Sequence, residues 1–168
     1  MPRSELSVTR RSMNGDDMEF LYRVYVSTRD DIAQAPVSEE QKQALYWHQF
    51  ESQHVHYQKY FKGSEFDVVL VNGKPAGRVY VHQTDDEIRI VDLSLLPEFR
   101  GKGVGEKVLS EIFEQADRCN KPLRLRVDPN KPALKWYLGL GFQKIEEEEF
   151  CWHMERKPNE GESTTSDE

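Results

Sequence analysis

The sequence predicts an α/β (α+β) fold with a central mixed, mostly antiparallel sheet of about seven strands and with four helices. Three patterns predict it. Short runs of β-branched and aromatic residues alternate with tight turns over residues 66–95. A glycine-rich turn then leads into an amphipathic stripe with helical spacing over residues 104–116. A strand, a helix and a hairpin follow, so helices and strands alternate along one chain.

The first third of the chain predicts one weak strand and two helices. Residues 6–9 alternate weakly between apolar and polar side chains, which favours a short strand. Residues 14–17 supply turn and N-cap side chains before helical spacing begins at Met18. The Ser-Glu-Glu-Gln sequence at 38–41 is a capping-box pattern, and the second helix is expected to end near Phe61.

The middle of the chain predicts a three-stranded meander. Asn72-Gly73 is a strong signal for a two-residue hairpin turn between strands 66–71 and 76–82. A second turn at Asp85-Asp86 precedes a longer strand over 87–95.

The last part of the chain predicts a helix, a strand, a helix and a hairpin. The first helix carries one apolar stripe, formed by Val104, Val108, Leu109, Ile112, Phe113 and Ala116. A strand over 123–127 is followed by a helix over 132–140, with Pro132 in its first turn and Gly141 at its C-cap. The hairpin is expected to pair residues 142–145 with 150–154.

Composition limits the class of protein. A chain of 168 residues is long enough for one domain with a real core, expected over 1–157, followed by a disordered acidic tail over 158–168. The formal net charge of -7 argues against a nucleic-acid partner held by phosphate contacts. Two cysteines without a pairing pattern indicate a reducing compartment. With no signal-like or membrane-spanning run, the protein is expected to be soluble and cytoplasmic, without a membrane partner.

The turn at residues 95–105, Leu-Leu-Pro-Glu-Phe-Arg-Gly-Lys-Gly-Val-Gly, is the most informative segment. A helix that begins inside glycines directs backbone N–H groups and a positive helix end at one point, which suits a pyrophosphate. The spacing fits neither a P-loop nor the Gly-x-Gly-x-x-Gly dinucleotide fingerprint. It does fit Arg-x-x-Gly-x-Gly, read from Arg100 to Gly105.

This pattern resembles the acyl-CoA pyrophosphate loop of the GNAT N-acetyltransferase superfamily. A second signature, Asn-x-x-Ala-x-x-Trp-Tyr-x-x-x-Gly-Phe over residues 130–142, lies downstream at the distance that the superfamily shows. The resemblance covers residues 6–156 and implies that acetyl-CoA is the co-substrate. It also implies a sheet that splays apart at the cofactor-binding strands.

The resemblance implies roles for individual residues. Backbone groups of Leu93, Ser94 and Leu95 are expected to pair with the pantetheine arm. The remaining cofactor-binding residues are expected to be Arg100, Gly101, Lys102, Gly103, Val104, Gly105 and Asn130. Asn130 has an alternative role as the residue that ends a strand and caps the next helix.

Two catalytic residues are implied in the same way. Tyr137 is the candidate general acid for the departing thiolate, and its alternative role is aromatic packing beside Trp136. Glu87 is the candidate general base, and its alternative is a solvent-facing strand-end acid. Val91 stands where some members carry Glu, which puts a one-carboxylate mechanism in doubt. Asp92 has the opposite strand parity and is expected on the other face of the strand.

No metal site is expected. His48, His54 and His56 lie on a predicted helix without the His-x-x-x-His spacing of a zinc protease, so exposed aromatic-helix histidines are the favoured interpretation. Aromatic residues on the same helix are interpreted as core, with an acceptor-pocket wall as the alternative: Tyr46, Trp47, Phe50, Tyr57 and Tyr60.

The predicted function is transfer of an acetyl group from acetyl-CoA to a primary amine by direct attack on the thioester. The preferred acceptor is a small molecule or amino-acid-like amine. A protein lysine or N-terminus, presented as a peptide amine, is the alternative acceptor, and a non-catalytic acyl-CoA sensor is the alternative class. Homodimerisation is left open.

Overall fold

The computed structural model describes residues 6–159. Its strands are β1 (Val8–Ser12), β2 (Glu65–Val71), β3 (Lys74–Gln83), β4 (Ile88–Leu95), β5 (Leu123–Val127), β6 (Gln143–Glu147) and β7 (Trp152–Arg156). Its α-helices are α1 (Met18–Ser27), α2 (Asp30–Ala33), α3 (Glu39–Tyr60), α4 (Val104–Cys119) and α5 (Pro132–Gly139). The predicted order of elements is confirmed, and the four-residue helix α2 is an addition that the sequence did not predict.

The strands form one seven-stranded sheet in the order β1-β2-β3-β4-β5-β7-β6. The ladders β1–β2, β5–β7 and β6–β7 are antiparallel, whereas β4 and β5 are parallel. The β4–β5 ladder holds two pairs, Ile88 with Leu123 and Arg89 with Arg124, although both strands continue beyond them. The fold class is therefore confirmed, including the splayed strand pair.

Local sequence signals account for several element boundaries. Ser38 caps α3 through a capping box with Gln41, at 3.1 Å between the Gln41 amide and Ser38 Oγ. Asn14 forms a second capping box with Asp17 ahead of α1. Asn72 has a φ of 51°, which the two-residue turn between β2 and β3 requires.

The chain divides into two compact units, and the first comprises residues 6–80 and 92–107. Its core lies where α1 and α3 meet β2 and the residues that follow β4. The buried members are Phe20, Leu21, Val24, Tyr25, Phe50, Val68 and Leu96. Burying such apolar side chains is the main favourable term in folding, so this core fixes the segment that leads into the glycine-rich turn.

The second unit comprises residues 81–91 and 108–159. Its buried residues lie on α4, on strands β4, β5 and β7, and just after the end of α5. They include Ile88, Leu109, Ile112, Leu123, Leu125, Phe142 and Met154. Phe113 and Phe142 contact at 6.0 Å between ring centroids. The apolar stripe predicted for α4 is therefore buried, except for the half-buried Phe113.

The tail predicted to be disordered, 158–168, lies outside the described residues apart from Pro158 and Asn159. The amide of Asn159 donates to Asp117 Oδ1 at 2.8 Å. Among the described residues, no helix is long and apolar enough to cross a membrane.

Candidate active site

The glycine-rich turn has the conformation that an anion-binding loop requires. Gly101 and Gly103 have φ of 73° and 83°, a region that residues with a Cβ rarely adopt. The first i to i−4 hydrogen bond of α4 runs from the Lys107 amide to the Gly103 carbonyl, at 3.2 Å. The amides of Val104, Gly105 and Glu106 precede that bond and have no acceptor inside the helix. They stand at the positive end of a 16-residue helix.

The two cations of the turn are both exposed but are held differently. Arg100 Nε donates to the Leu95 carbonyl at 2.9 Å, and its Nη2 donates to Ser27 Oγ at 3.3 Å. Arg100 thus ties the turn to the end of β4 and to the end of α1. Lys102 lies at the tip of the turn. Both cations add positive charge beside the helix N-terminus.

The end of β4 is packed against β3 with no room for a side chain between them. A Cβ added to Gly77 would lie 2.2 Å from the Ser94 carbonyl oxygen and 2.9 Å from Leu95 Cα. The Leu96 amide donates to the Ala76 carbonyl at 2.8 Å. Gly77 therefore sets the path of residues 93–95, and the sequence reasoning missed it. An isolated glycine within a strand pattern was the signal available.

A buried ionic network lies beside the same strand end. Arg78 Nη2 donates to Asp92 Oδ2 at 2.8 Å and to Gln53 Oε1 at 2.7 Å. Tyr57 O–H donates to Asp92 Oδ2 at 3.2 Å, and Ser94 Oγ donates to Asp92 Oδ1 at 2.7 Å. The Arg78 side chain is 3% exposed. Sequence reasoning did not single out this network, although a charged residue in the buried run of β3 was a signal for it.

The network changes the proton affinity of its members. Burial disfavours the charged form of Arg78, but Asp92, with smaller contributions from Tyr80 and Tyr57, outweighs burial and raises the pKa of the guanidinium. Burial and then Asp92 raise the pKa of Tyr57, so its hydroxyl stays protonated and donates. Burial, with Arg78 nearby, lowers the pKa of His54. Near neutral pH, Tyr57 is therefore neutral, and Arg78 is charged and paired with Asp92.

Glu87, the predicted base, has two arginine partners. Its Oε2 accepts from Arg89 Nε at 2.8 Å and its Oε1 accepts from Arg124 Nη1 at 3.0 Å. Arg124 also pairs with Glu155 at 2.8 Å. Burial acts to raise the pKa of Glu87, but the hydrogen bond from Arg89 and the charge of Arg124 outweigh it, so the pKa is lowered. The side chain is 14% exposed, so it does not face solvent as the alternative prediction held.

Tyr137, the predicted acid, is buried in α5. Its ring contacts Trp136 at 5.0 Å and Phe142 at 5.4 Å between centroids. The packing role proposed as its alternative is therefore present in the structure.

Asn130 is exposed and lies in the turn between β5 and α5. Its amide donates to Asp128 Oδ1 at 2.9 Å. The N-cap of α5 is Lys131, which makes no side-chain cap hydrogen bond. The prediction that Asn130 caps α5 is wrong by one position, because Pro132 occupies the first helical position and fixes the cap at Lys131.

The predicted cofactor residues of the glycine-rich turn and of β4 lie together in the first unit, over residues 93–105. Glu87, Asn130 and Tyr137 lie in the second unit. Within that unit, the described contacts of Glu87 are with arginines and those of Tyr137 are with aromatic rings.

The aromatic residues of α3 divide into buried and exposed sets. Tyr46 and Phe50 are 5% and 2% exposed, which confirms them as core. Trp47 and Tyr60 are 48% and 61% exposed. The three histidines of α3 belong to no cluster of potential metal ligands among the residues that the structure describes.

The comparisons with known proteins agree with this geometry. The sequence profile of the acetyltransferase (GNAT) family matches residues 24–142, well over half of the chain. The protein therefore belongs to the GNAT acetyltransferase family.

Two curated relatives match this chain over less than half of its length. The chain is 41% identical over 71 residues to a thialysine N-epsilon-acetyltransferase from Bos taurus, covering 41% of each chain. It is 36% identical over 80 residues to the Sus scrofa protein of the same name, covering 46% of each chain. The match thus spans less than half the length of these curated relatives.

Solved structures share the fold over nearly the whole chain. The PaiA N-acetyltransferase of Thermoplasma acidophilum, solved with coenzyme A, superposes with a TM-score of 0.69 at 18% identity, covering 90% of this chain and 99% of that one. The ribosomal-protein-S18-alanine N-acetyltransferase of Escherichia coli gives 0.63 at 16% identity, covering 90% and 94%. At these identities the likeness shows the fold alone.

Proposed function

We propose that this protein is an acetyl-CoA-dependent N-acetyltransferase that transfers the acetyl group to the primary amine of a small molecule. The observation that carries the proposal is the turn at Gly101 and Gly103 within a chain of the GNAT family. Its left-handed glycines and the first-turn amides of α4 supply donors and positive potential for the coenzyme A pyrophosphate. Arg100 and Lys102 add charge there.

The reaction sets three requirements. The amine must be neutral to attack the thioester carbon, although a lysine-like amine has a pKa near ~10 in water. Negative charge then develops on the carbonyl oxygen and needs fixed donors. The sulfur departs as a thiolate, which a proton donor stabilises. The C–N bond forms as the C–S bond breaks, and the amine loses a proton.

Backbone groups of Leu93, Ser94 and Leu95 are proposed to hold the pantetheine arm, with one amide facing the oxyanion. The close contact of Gly77 with Ser94 and the support of Asp92 keep this segment in place. Rigid donors of this kind lose little free energy to reorganisation during the reaction.

Tyr137 is proposed to donate the proton to the thiolate, a role that its hydroxyl chemistry permits near neutral pH. Glu87 is a weaker candidate for the base than the sequence suggested. A base needs a free lone pair and a pKa near the working pH, whereas arginines bind both Glu87 oxygens and its pKa is lowered.

The preferred acceptor is a small or amino-acid-like amine, in keeping with the names of the thialysine N-epsilon-acetyltransferase relatives. The alternative acceptor is a protein lysine or N-terminus. A cytoplasmic location is proposed because Cys119 and Cys151 are both free thiols.

The proposal is tested in two steps. Calorimetry with acetyl-CoA measures binding, and a thiol-release assay then measures turnover with thialysine, lysine, small polyamines and lysine-containing peptides. Saturable binding with turnover on a small amine supports the proposal. Turnover on peptides alone supports the alternative acceptor, whereas binding without turnover identifies an acyl-CoA sensor. Absence of acetyl-CoA binding overturns the proposal.

A further inference from the structure

Three different metal-ligand types meet at the turn between β6 and β7. Glu148, Cys151 and His153 each offer one ligand atom, and these atoms all lie within 4.8 Å of one another. The turn is closed by the Glu148 amide, which donates to the Cys151 carbonyl at 2.8 Å. This tight turn brings a carboxylate and a thiol to the edge of β7, where His153 stands.

The spacing of the donors suits a four-coordinate ion. Cys151 Sγ lies 3.4 Å from Glu148 Oε1, and His153 Nε2 lies 3.3 Å from Glu148 Oε2. Tetrahedral zinc with Zn–S near ~2.3 Å and Zn–N or Zn–O near ~2.0–2.1 Å places neighbouring ligand atoms roughly 3.3 to 3.6 Å apart. Each measured distance matches the edge of such a tetrahedron, but the two run to different oxygens of Glu148, so rotation of the carboxylate is needed to present one oxygen to the ion.

His153 faces the same carboxylate. Its Nε2 atom is buried and lies 3.3 Å from Glu148 Oε2, which is its ion-pair partner, in a geometry that is not a regular hydrogen bond within the part of the chain that the structure describes. A cation between Nε2, the thiolate and the carboxylate would replace that ion pair with bonds to the metal.

The charges around the cluster are mixed. Arg126, opposite His153 in the β5–β7 ladder, acts to lower the pKa of Cys151 and of Glu148, whereas Asp128 acts to raise that of Cys151. Overall, burial and then Glu148 raise the pKa of the Cys151 thiol. Because Zn²⁺ binds the thiolate form of cysteine, a bound cation displaces the thiol proton.

We propose that Glu148, Cys151 and His153 form a zinc-binding site that clamps the β6–β7 turn onto β7. Mixed sulfur, nitrogen and oxygen donors suit Zn²⁺, whereas Mg²⁺ and Ca²⁺ take oxygen ligands. Three protein ligands leave a fourth position for water or an added ligand. The sequence predicted no metal site. His153 lies outside the histidine-rich helix α3, and no cysteine pairing pattern marks Cys151.

The test uses the full chain without a histidine tag, reduced and freed of metal by a chelator. Calorimetry with Zn²⁺ alone is expected to give one ion per chain, with release of about one proton when buffers of different ionisation enthalpy are compared. Titration with Co²⁺ is expected to give a thiolate-to-metal charge-transfer band in the near ultraviolet.

Variants assign the ligands. Cys151→Ser and His153→Asn are expected to weaken Zn²⁺ binding by about a hundredfold or more, and Glu148→Gln by at least about tenfold. The matched controls, Cys119→Ser and His48→Ala, are expected to bind as the parent does. Melting temperatures of the metal-free variants show that each is folded. Absence of stoichiometric binding by the parent, or a charge-transfer band that persists in Cys151→Ser, overturns the proposal, whatever the outcome for acetyl transfer.

Discussion

The Arg78 guanidinium and the Asp92 carboxylate form a buried ion pair, with 2.8 Å between Nη2 and Oδ2 and side chains that are 3% and 12% exposed. The same carboxylate accepts from Tyr57 on α3 and from Ser94 on its own strand. Asp92 thus joins α3, β3 and the end of β4. This arrangement holds the strand end that leads into the glycine-rich turn.

Removal of the Asp92 carboxylate is expected to be severe. Asp92→Ala leaves the Arg78 charge buried and unpaired, which is expected to cost about 3 to 5 kcal/mol of unfolding free energy. Urea denaturation followed by circular dichroism measures it. The double variant Arg78→Met/Asp92→Leu removes both charges and is expected to recover most of the loss. Equal stability of the parent and Asp92→Ala would show that the pair is not buried.

Gly77→Ala is expected to displace the end of β4, because its Cβ would overlap the Ser94 carbonyl oxygen, a backbone atom. We expect a loss of about 3 kcal/mol in stability and weaker acetyl-CoA binding by calorimetry. Gly139→Ala is the matched control, since its Cβ meets no atom within 4 Å. In a helix this change is expected to stabilise by roughly 0.5 to 1 kcal/mol. A stable Gly77→Ala with full affinity would contradict the role given to this contact.

Gly103→Ala tests the turn itself. A left-handed alanine costs roughly 1 to 2 kcal/mol, and relief of that strain is expected to turn the α4 amides away and weaken acetyl-CoA binding by at least about tenfold. Gly63→Ala, at a φ of 86° and with equally open surroundings, introduces the same strain elsewhere. It is expected to lose similar stability and no affinity. Equal affinity in both variants would remove the turn from the cofactor site.

Glu87→Gln separates a structural ion pair from a catalytic base. The lowered pKa of Glu87 means that its stabilisation is fully present above the ordinary value of 4.5 and is lost as the pH falls through the folded-state pKa. The variant is therefore expected to be about 2 kcal/mol less stable at pH 7, and the difference is expected to vanish only at a pH below the lowered folded-state pKa of Glu87. Asp86→Asn, at an exposed neighbour, is the control.

The same variant is expected to keep the pH profile of turnover, because the arginines and not the acceptor amine bind the carboxylate. Loss of the acidic limb of kcat/KM, the fall at low pH that protonation of a base produces, with unchanged stability would restore Glu87 as the base.

Tyr137→Phe removes only the hydroxyl of a packed ring. We expect kcat to fall by about a hundredfold, the contribution typical of a positioned proton donor. Affinity for acetyl-CoA is expected to stay within about twofold, and stability is expected to change little, because the ring contacts with Trp136 and Phe142 remain. Unchanged turnover would show that Tyr137 acts in packing alone.

Local signals predicted the fold well. The capping box at Ser38 and the turn at Asn72 each depend on residues within three positions of one another, so the sequence holds all of the required information. The apolar stripe of α4 and the glycines before it are equally local. The bounds of strands and the short helix α2 were less predictable, because neighbouring elements decide where pairing and packing end.

The candidate site was predicted only in part. The predicted cofactor residues over 93–105 followed from one contiguous segment, whereas the partners of Glu87 and Asp92 are distant in sequence. Arg124 lies 37 residues from Glu87, and Tyr57 lies 35 residues from Asp92. Neither pairing leaves a periodic signal, so the arginine partners of Glu87 could not be predicted from the sequence.

The chain order of polar, apolar and glycine residues was enough to predict the GNAT fold and the conformation of the glycine-rich turn, because backbone conformation and helix capping are short-range properties. Only the folded chain decided which charges neutralise one another, where Gly77 excludes a side chain, and how a glutamate, a cysteine and a histidine meet. Those outcomes depend on the distances between elements. Side-chain packing across the sheet sets these distances, and no single segment of the sequence encodes them.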